Sequence, residues 1–171
     1  MSVKQRQPPV QEDSTQEAPL VEVVIEVPRG SFLKRGSTGQ LDFVSPFPCP
    51  FNYGSVDSYV GLDGDLLDAV ILGPRLPRGT RVSVRAHGAV GLTDRSMYDD
   101  KLICGNYSIS PGKRFLVLLF FKFYARCKWF LNYLRGRRGH NACEGWSDAA
   151  EAIARAQPRR GVVWKGPVVP F

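Results

Sequence analysis

The spacing of apolar residues changes at Ser110, and this change limits the folds that the chain can adopt. Before Ser110 the apolar residues form short β-branched or alternating runs, which are typical of strands. Strands are predicted at Glu22–Val27, Leu41–Val44, Ala69–Leu72, Arg81–Leu92 and Lys101–Cys104. Between them, Arg29–Gln40 is interpreted as a loop and Asn52 to Gly54 as a turn.

Two helices are predicted after this change. Ser110 is a preferred N-cap and Pro111 takes the first helical position, so a helix is expected to run to about Arg135. Ser147 is expected to cap a second helix over Asp148–Ala156. Strands followed by helices are typical of the α+β class. We therefore expect a small closed (OB-like) five-stranded β-barrel flanked by two C-terminal helices.

The composition and the two ends of the chain indicate one domain at residues 21–160. With 171 residues, 43% hydrophobic and 23% charged, the chain has the composition of an ordinary globular protein. Residues 1–20 are rich in Gln, Pro and Glu and have no apolar run, so we expect a disordered N-terminal tail and no secretory signal. Residues 161–171 form an apolar C-terminal tail that could dock on the domain or on a neighbouring subunit.

Binding to a membrane or to nucleic acid is not predicted. The apolar run from Phe115 to Phe121 has seven residues, whereas a membrane span needs about 20; a helix lying on a membrane surface is the alternative. The net charge of +7 comes from residues 111–171, with 12 basic and 3 acidic residues, while the predicted strands carry few basic residues. Four cysteines without a CxxC pair indicate free thiols and a cytoplasmic protein.

Two groups of aspartates lie where predicted strands meet loops. The first group is Asp63, Asp65 and Asp68, and the second is Asp94, Asp99 and Asp100. Like charges at this spacing repel one another unless a cation neutralises them, although a solvated acidic turn is the alternative for the first group alone. Carboxylate oxygens suit Mg²⁺, and two such ions can clamp a phosphate and activate a water molecule. Lys34, Arg35 and Lys101 are close enough in sequence to neutralise a phosphoryl group.

Six motifs follow one another in a specific order. They are VVIEVPRGSFLKR (23–35), PCPFNYGSV (48–56), DGDLLD (63–68), TDRSMYDDK (93–101), FFKFYARCK (120–128) and EGWSDAAEA (144–152). In order and spacing they resemble the soluble (family I) inorganic pyrophosphatases. The resemblance implies Mg²⁺-dependent hydrolysis of inorganic diphosphate to two phosphates on a five-stranded barrel flanked by helices.

The resemblance also implies a role for each matching residue. Its metal ligands would be Asp63, Asp65, Asp68, Asp94 and Asp99, with Glu26 near the metal cluster. Asp65 would be the general base that takes a proton from the attacking water. The catalytic phosphate-binding residues would be Lys34, Tyr53, Lys101 and Tyr124.

Three positions depart from the family pattern. Gly36 stands where a glutamate is expected, Phe43 where an arginine is expected and Ala125 where a lysine is expected. Two of these changes remove phosphate ligands, so they affect substrate affinity more than the metal chemistry.

Nearby cations are predicted to bind the substrate in place of the lost ones. Arg35 adjoins Lys34, and Lys128 follows Tyr124 by four residues, which places both side chains on one face of the predicted helix. Arg126 is the alternative to Lys128 for this role.

Other functional classes stay open at this point. A degenerate relative would bind metal or phosphate without turnover; the five aspartates argue against it and the three departures argue for it. A basic barrel that binds nucleic acid is the third class. By analogy with prokaryotic relatives, a homo-oligomer, namely a hexamer, is expected.

Overall fold

A mixed β-sheet, a two-stranded sheet and two helices make up the structure, a computed structural model that describes residues 17–35, 41–45, 47–94, 96–134, 136, 139–161 and 169–170. The strands are β1 (Leu20–Val27), β2 (Leu33–Arg35), β3 (Leu41–Val44), β4 (Asn52–Val60), β5 (Leu66–Ile71), β6 (Arg81–Asp94), β7 (Met97–Gly105), β8 (Ala142–Ser147), β9 (Gln157–Pro158) and β10 (Val169–Pro170). Helix α1 (Pro111–Leu134) lies between β7 and β8, and α2 (Ala149–Arg155) follows β8. The predicted α+β class with two C-terminal helices is confirmed.

The main sheet has the strand order β1-β4-β5-β7-β6, with β10 next to β6. Strand β8 also pairs with β6, β9 pairs with β4, and β1 pairs with β6 as well as with β4. Strands β5 and β7 are parallel, whereas β4 is antiparallel to β5 and β6 is antiparallel to β7. The predicted strand Leu41–Val44 exists as β3 and pairs with β2 in a separate two-stranded sheet. Strand β2 lies inside the segment that the sequence predicted as a loop.

The predicted turn at Asn52 to Gly54 is wrong, because these residues begin β4. Asn52 is fully buried, and its side chain donates to the carbonyl of Pro74 at 2.7 Å and accepts from two backbone amides. At Gly54, a Cβ atom would lie 2.0 Å from the carbonyl oxygen of Val24 on β1. Glycine is therefore required at this position because β1 and β4 approach each other closely, and not because the chain turns.

Two apolar cores lie on opposite faces of the sheet. Residues Ile25 and Leu102 belong to the core that α2 covers, and Ile103 and Phe121 belong to the core that α1 covers. Because neighbouring side chains alternate along a strand, β7 directs Leu102 and Ile103 to different cores. The same alternation places Asp99 and Lys101 on the face of β7 that α1 covers.

The helix caps follow local chemistry. The backbone amide of Lys113 lies 3.4 Å from the Ser110 hydroxyl, which confirms the predicted start of α1. The predicted cap Ser147 is wrong for α2, because Ser147 ends β8 and the Asp148 carboxylate accepts from the amides of Ala150 and Glu151 at 2.7 and 3.1 Å. No helix within the described ranges is long and apolar enough to cross a membrane.

Both ends of the described chain lie beside β6. The carbonyl of Pro19 accepts from the amide of Ala86 at 2.8 Å, and that of Ala18 accepts from the Arg85 guanidinium at 3.0 Å. Residues 17–20 of the predicted N-terminal tail therefore lie along the sheet, and residues 1–16 lie outside the described ranges. In the predicted C-terminal tail, Val169–Pro170 pairs with β6 in parallel, and residues 162–168 and 171 lie outside the described ranges.

Candidate active site

Lys101 is the centre of the candidate site, with 3% of its surface exposed. Because β5 runs parallel to β7, Asp68 lies in register with Lys101. Asp99 lies two residues earlier on the same face of β7. The Lys101 ammonium donates to the carboxylates of both Asp68 and Asp99. These three residues, which we call the Lys101 cluster, were all predicted as site residues.

Tyr53 joins the Lys101 cluster from β4. Its hydroxyl donates to the Asp68 carboxylate, and its ring centroid lies 5.8 Å from the Lys101 nitrogen. Burial raises the pKa of Tyr53 well above its usual value, and the charges of Asp68 and Asp99 and the nearby Tyr124 raise it further. Tyr53 therefore stays protonated and acts as a hydrogen-bond donor.

Burial and pairing oppose each other in the Lys101 cluster. Burial alone would lower the pKa of Lys101, but the carboxylates of Asp68 and Asp99 outweigh it and raise this pKa, so the lysine stays charged. Burial raises the pKa of Asp99, and so do the negative charges of Asp68 and Asp63, while Lys101 lowers it; the net shift is upward. The negative charges of Asp63 and Asp68 therefore disfavour the ionised form of Asp99, and a nearby positive charge stabilises it.

Glu26 reaches the site through a β-bulge. The pairing of β1 with β4 shifts register between Ile25 and Val27, so Glu26 is the extra residue. Bulges commonly redirect a side chain, and here the Ser55 hydroxyl donates to the Glu26 carboxylate at 2.8 Å. Ser55 is in turn in register with Asp68, which places Glu26 one strand away from the Lys101 cluster.

Asp63 and Asp65 lie in the tight turn between β4 and β5. Gly64 has a φ of +89°, a left-handed conformation that favours glycine, and its amide donates to Gly61. The Asp63 carboxylate accepts from the Asp65 amide at 3.2 Å, while the Asp65 side chain is exposed. The exposed Asp65 carboxylate is accessible to a water molecule.

Asp94 lies at the end of β6 and has protein partners of its own. Its carboxylate pairs with the Lys128 ammonium at 2.6 Å and accepts from the side-chain amides of Asn141 at 2.8 Å and Asn132 at 3.4 Å. The Lys128 nitrogen also lies 5.9 Å from the centroid of Tyr124, one helical turn earlier on α1. We call Asp94, Lys128, Asn132 and Asn141 the Asp94 cluster. The structure thus joins a predicted metal ligand to a predicted substrate ligand.

The carboxylate donors at the Lys101 cluster fit a hard divalent cation, because such ions prefer oxygen ligands. Asp63, Asp68 and Asp99 supply only carboxylate oxygens, and burial, together with the negative charges of Asp68 and Asp63, raises the pKa of Asp99. Within the described residues, no three His, Cys, Asp or Glu side chains are arranged to hold a metal ion. Binding a cation would therefore require the Lys101 ammonium to share its two carboxylates.

Several predicted positions lie outside what the structure describes. The backbones of Lys34 and Arg35 lie on β2, where Lys34 is in register with Phe43, but the side chains of these three residues are not described. Gly36 also lies outside the described ranges. On α1, Ala125 stands where the family pattern has a lysine, and it is buried. Arg126, the alternative to Lys128 as a substrate ligand, is exposed.

Sequence reasoning missed the polar residues that hold the predicted ones. Ser55 follows Tyr53 by two residues, so a strand at this point would have predicted that both side chains share a face. Asn132 follows Lys128 by four residues, the spacing of neighbours on a helix surface. Asn141 carried no local signal, because it comes near Asp94 only when β8 pairs with β6.

Known proteins resemble this chain in sequence. A family model described as inorganic pyrophosphatase matches residues 23–158. The inorganic pyrophosphatase of Haemophilus influenzae is 37% identical over 97 residues, which are 52% of this chain and 54% of that protein. The chain thus spans about half the length of this relative. The inorganic pyrophosphatase of Leifsonia xyli is 33% identical over 144 residues, covering 77% of this chain and 88% of that protein.

Solved structures agree with the sequence matches. An inorganic pyrophosphatase from Thermus thermophilus superposes with a TM-score of 0.66 at 27% identity, over 86% of this chain and 91% of that one. An inorganic pyrophosphatase from Neisseria gonorrhoeae gives a TM-score of 0.65 at 26% identity, over 79% of this chain and 86% of that one. The similarity therefore covers most of the described fold.

Proposed function

The chain belongs to the inorganic pyrophosphatase family, and we propose that it hydrolyses inorganic diphosphate to two phosphates with Mg²⁺. The observation that carries this proposal is the Lys101 cluster. A buried ammonium between Asp68 and Asp99, with the Tyr53 hydroxyl on the same carboxylate, combines a phosphate-binding cation with oxygen ligands for a metal. Both are needed to neutralise the charge that develops as a phosphoanhydride breaks.

The predicted residues other than Asp94 and Lys128 receive the following roles. Asp63, Asp65, Asp68 and Asp99, with Glu26 beside them, would hold Mg²⁺, which supplies charge neutralisation and Lewis-acid activation when it is bound. Asp65 accepts the proton of the attacking water, and its exposure in the turn supports this role. Lys101, Tyr53 and Tyr124 bind the phosphates, together with Lys34 and Arg35 from β2.

The reaction is tested by measuring phosphate release from diphosphate with and without Mg²⁺. We expect Mg²⁺-dependent release that Asp65→Asn reduces by about 100-fold or more, and no loss in Glu151→Gln, which changes an exposed carboxylate on α2 in the same way. Absence of Mg²⁺-dependent release would favour a non-catalytic binding protein. Full activity in Asp65→Asn would leave the reaction in place and contradict the role of Asp65.

The cation expected after Tyr124 is proposed to be supplied by Lys128. Its ammonium lies above the Tyr124 ring, whereas Ala125 is buried. Lys128→Ala should raise KM for diphosphate severalfold, while Lys122→Ala, an exposed lysine on the same helix, should not change it. An unchanged KM in Lys128→Ala would refute this assignment.

Closure of the sheet is a further part of the proposal. We propose that β1, β4, β5, β7 and β6 form the expected OB-like barrel within a catalytic domain of residues 21–160. Two observations support it: β1 pairs with β4 along one edge and with β6 along the other, and the family match covers residues 23–158.

We also propose that the chain forms a cytoplasmic homo-oligomer, a hexamer by family analogy. Cys104, Cys127 and Cys143 are free thiols, which agrees with a reducing compartment. The outer face of α1 exposes Phe115, Leu116, Leu119, Phe123, Phe130 and Leu134. Monomers seldom expose apolar patches of this kind. Leu119→Glu should therefore reduce the mass measured by light scattering, and Lys122→Glu should not.

A further inference from the structure

Donors contact both carboxylate oxygens of Asp94, whereas Lys101 and Tyr53 donate to one and the same oxygen of Asp68. Lys128 contacts one oxygen at 2.6 Å, and Asn141 and Asn132 donate to the other at 2.8 and 3.4 Å. The Asp94 side chain is 19% exposed, so water replaces few of these contacts. A carboxylate with an ammonium on one oxygen and amides on the other already has its counterion.

The contacts of the Asp94 carboxylate are built into the fold. Asn132 follows Lys128 by one turn of α1 and is buried, and Asn141 precedes β8, which pairs with β6 close to Asp94. The cluster therefore ties three elements together at one carboxylate. A divalent cation on Asp94 would have to displace the ammonium or bind beside a like charge at short range.

We propose that the Lys128 ammonium takes the place of a divalent cation at Asp94, so that Asp94 is not a metal ligand in this chain. This inference rests on the proposed function, since it concerns which carboxylates of the site bind metal. It corrects the role that family resemblance implies for Asp94. It also gives Lys128 two partners, because the same ammonium lies above Tyr124, a proposed phosphate ligand.

Counting bound Mn²⁺ tests this inference without measuring turnover. The probe is Mn²⁺ alone, and the loss of its free electron paramagnetic resonance signal gives the number of ions bound per full-length chain. Asp94→Asn should leave the count and affinity of the wild type unchanged. Lys128→Gln should add a site or strengthen binding by about tenfold, because the competing charge is removed.

The added binding must depend on Asp94. Lys128→Gln combined with Asp94→Asn should return to the wild-type count, and Lys122→Gln should leave the count unchanged. Lys128→Met provides a second neutral side chain, and circular dichroism of each variant checks that it is folded.

Two results would overturn the inference. One is the loss of a Mn²⁺ ion in Asp94→Asn alone, and the other is unchanged Mn²⁺ binding in both neutral variants of Lys128. Failure of the proposed function gives a different result, since the wild type would then release no phosphate with Mg²⁺ whatever the Mn²⁺ counts of the variants.

Discussion

The Lys101 cluster and the Asp94 cluster both join a lysine to carboxylate oxygens, but they lie in different surroundings. Lys101 and its two carboxylates all come from strands, and the Lys101 side chain is 4% exposed. Lys128 comes from α1 and is 33% exposed, and its partner Asp94 ends a strand. The sheet therefore encloses the contacts of Lys101 with Asp68 and Asp99. The contact of Lys128 with Asp94 lies where the sheet meets α1.

The difference shows how burial changes the role of an ion pair. Removing one member of a buried pair leaves an unpaired charge, which typically costs about 3–5 kcal/mol. A partly exposed pair contributes about 1 kcal/mol or less, because water and salt compete with it. We therefore expect the Lys101 cluster to support both stability and function, and the Asp94 cluster to act mainly on ligand binding.

The largest effect is expected from Lys101→Met. Because Asp68 and Asp99 lose their shared partner, the free energy of unfolding in urea should fall by about 3–5 kcal/mol at pH 7, and phosphate release should fall by about 100-fold or more. Lys122→Met is the matched control and should change neither quantity. A stability loss as small as that of the control would mean that the two clusters do not differ as described.

Tyr53→Phe tests the second donor in the Lys101 cluster. It removes a hydrogen bond to a charged, half-buried carboxylate and leaves the ring in place, so we expect a loss of about 1–3 kcal/mol of stability. Tyr107→Phe removes a hydroxyl from an exposed ring and should be neutral. Equal unfolding curves for both variants would contradict the contact between Tyr53 and Asp68.

High pH tests the contribution of Lys101 to stability. The pKa of Lys101 is raised in the folded state, so its contribution is fully present below the unfolded value, near 10.4, and is lost as pH rises above it. Above that value the stability of the wild type should fall more steeply than that of Lys101→Met, by up to about 1.4 kcal/mol per pH unit. Unfolding free energies at pH 9, 10 and 11 measure this difference, and parallel curves would contradict it.

The smallest effect is expected from Lys128→Met. Its ion pair with Asp94 is partly exposed, so the loss of stability should be about 1 kcal/mol or less, and added salt should reduce it further. The loss in Lys101→Met should persist in the same salt. Unfolding at two ionic strengths checks both variants. A loss of stability in Lys128→Met that salt does not reduce would mean that the Asp94 cluster is shielded from solvent like the Lys101 cluster.

Much of the fold could be predicted because its signals are local. The β-branched run ending at Val27 and the alternation over Arg81–Leu92 both appear as strands. Ser110 and Pro111 begin a helix as predicted, since a cap acts on amides within three residues of it. Strand β2 and the start of β4 were missed, since their sequences are polar or carry turn residues.

The candidate site was predicted only in part, and for a physical reason. The order of the motifs and the family resemblance predicted Tyr53, Asp68, Asp99 and Lys101 as site residues. The structure brings these four together. No spacing along the chain predicts that Asp94 contacts Lys128, because Asp94 ends β6 and Lys128 lies in α1, with β7 between them. The roles of the missed asparagines follow from the pairing of β8 with β6.

The sequence by itself determined the residue types of the site, the change from strands to helices and the position of most elements. Periodicity and capping act over a few residues, so they can be seen without the rest of the chain. Only the tertiary structure decided which carboxylate shares which lysine. That choice depends on strand register and on the packing of α1, which act between residues far apart in the chain.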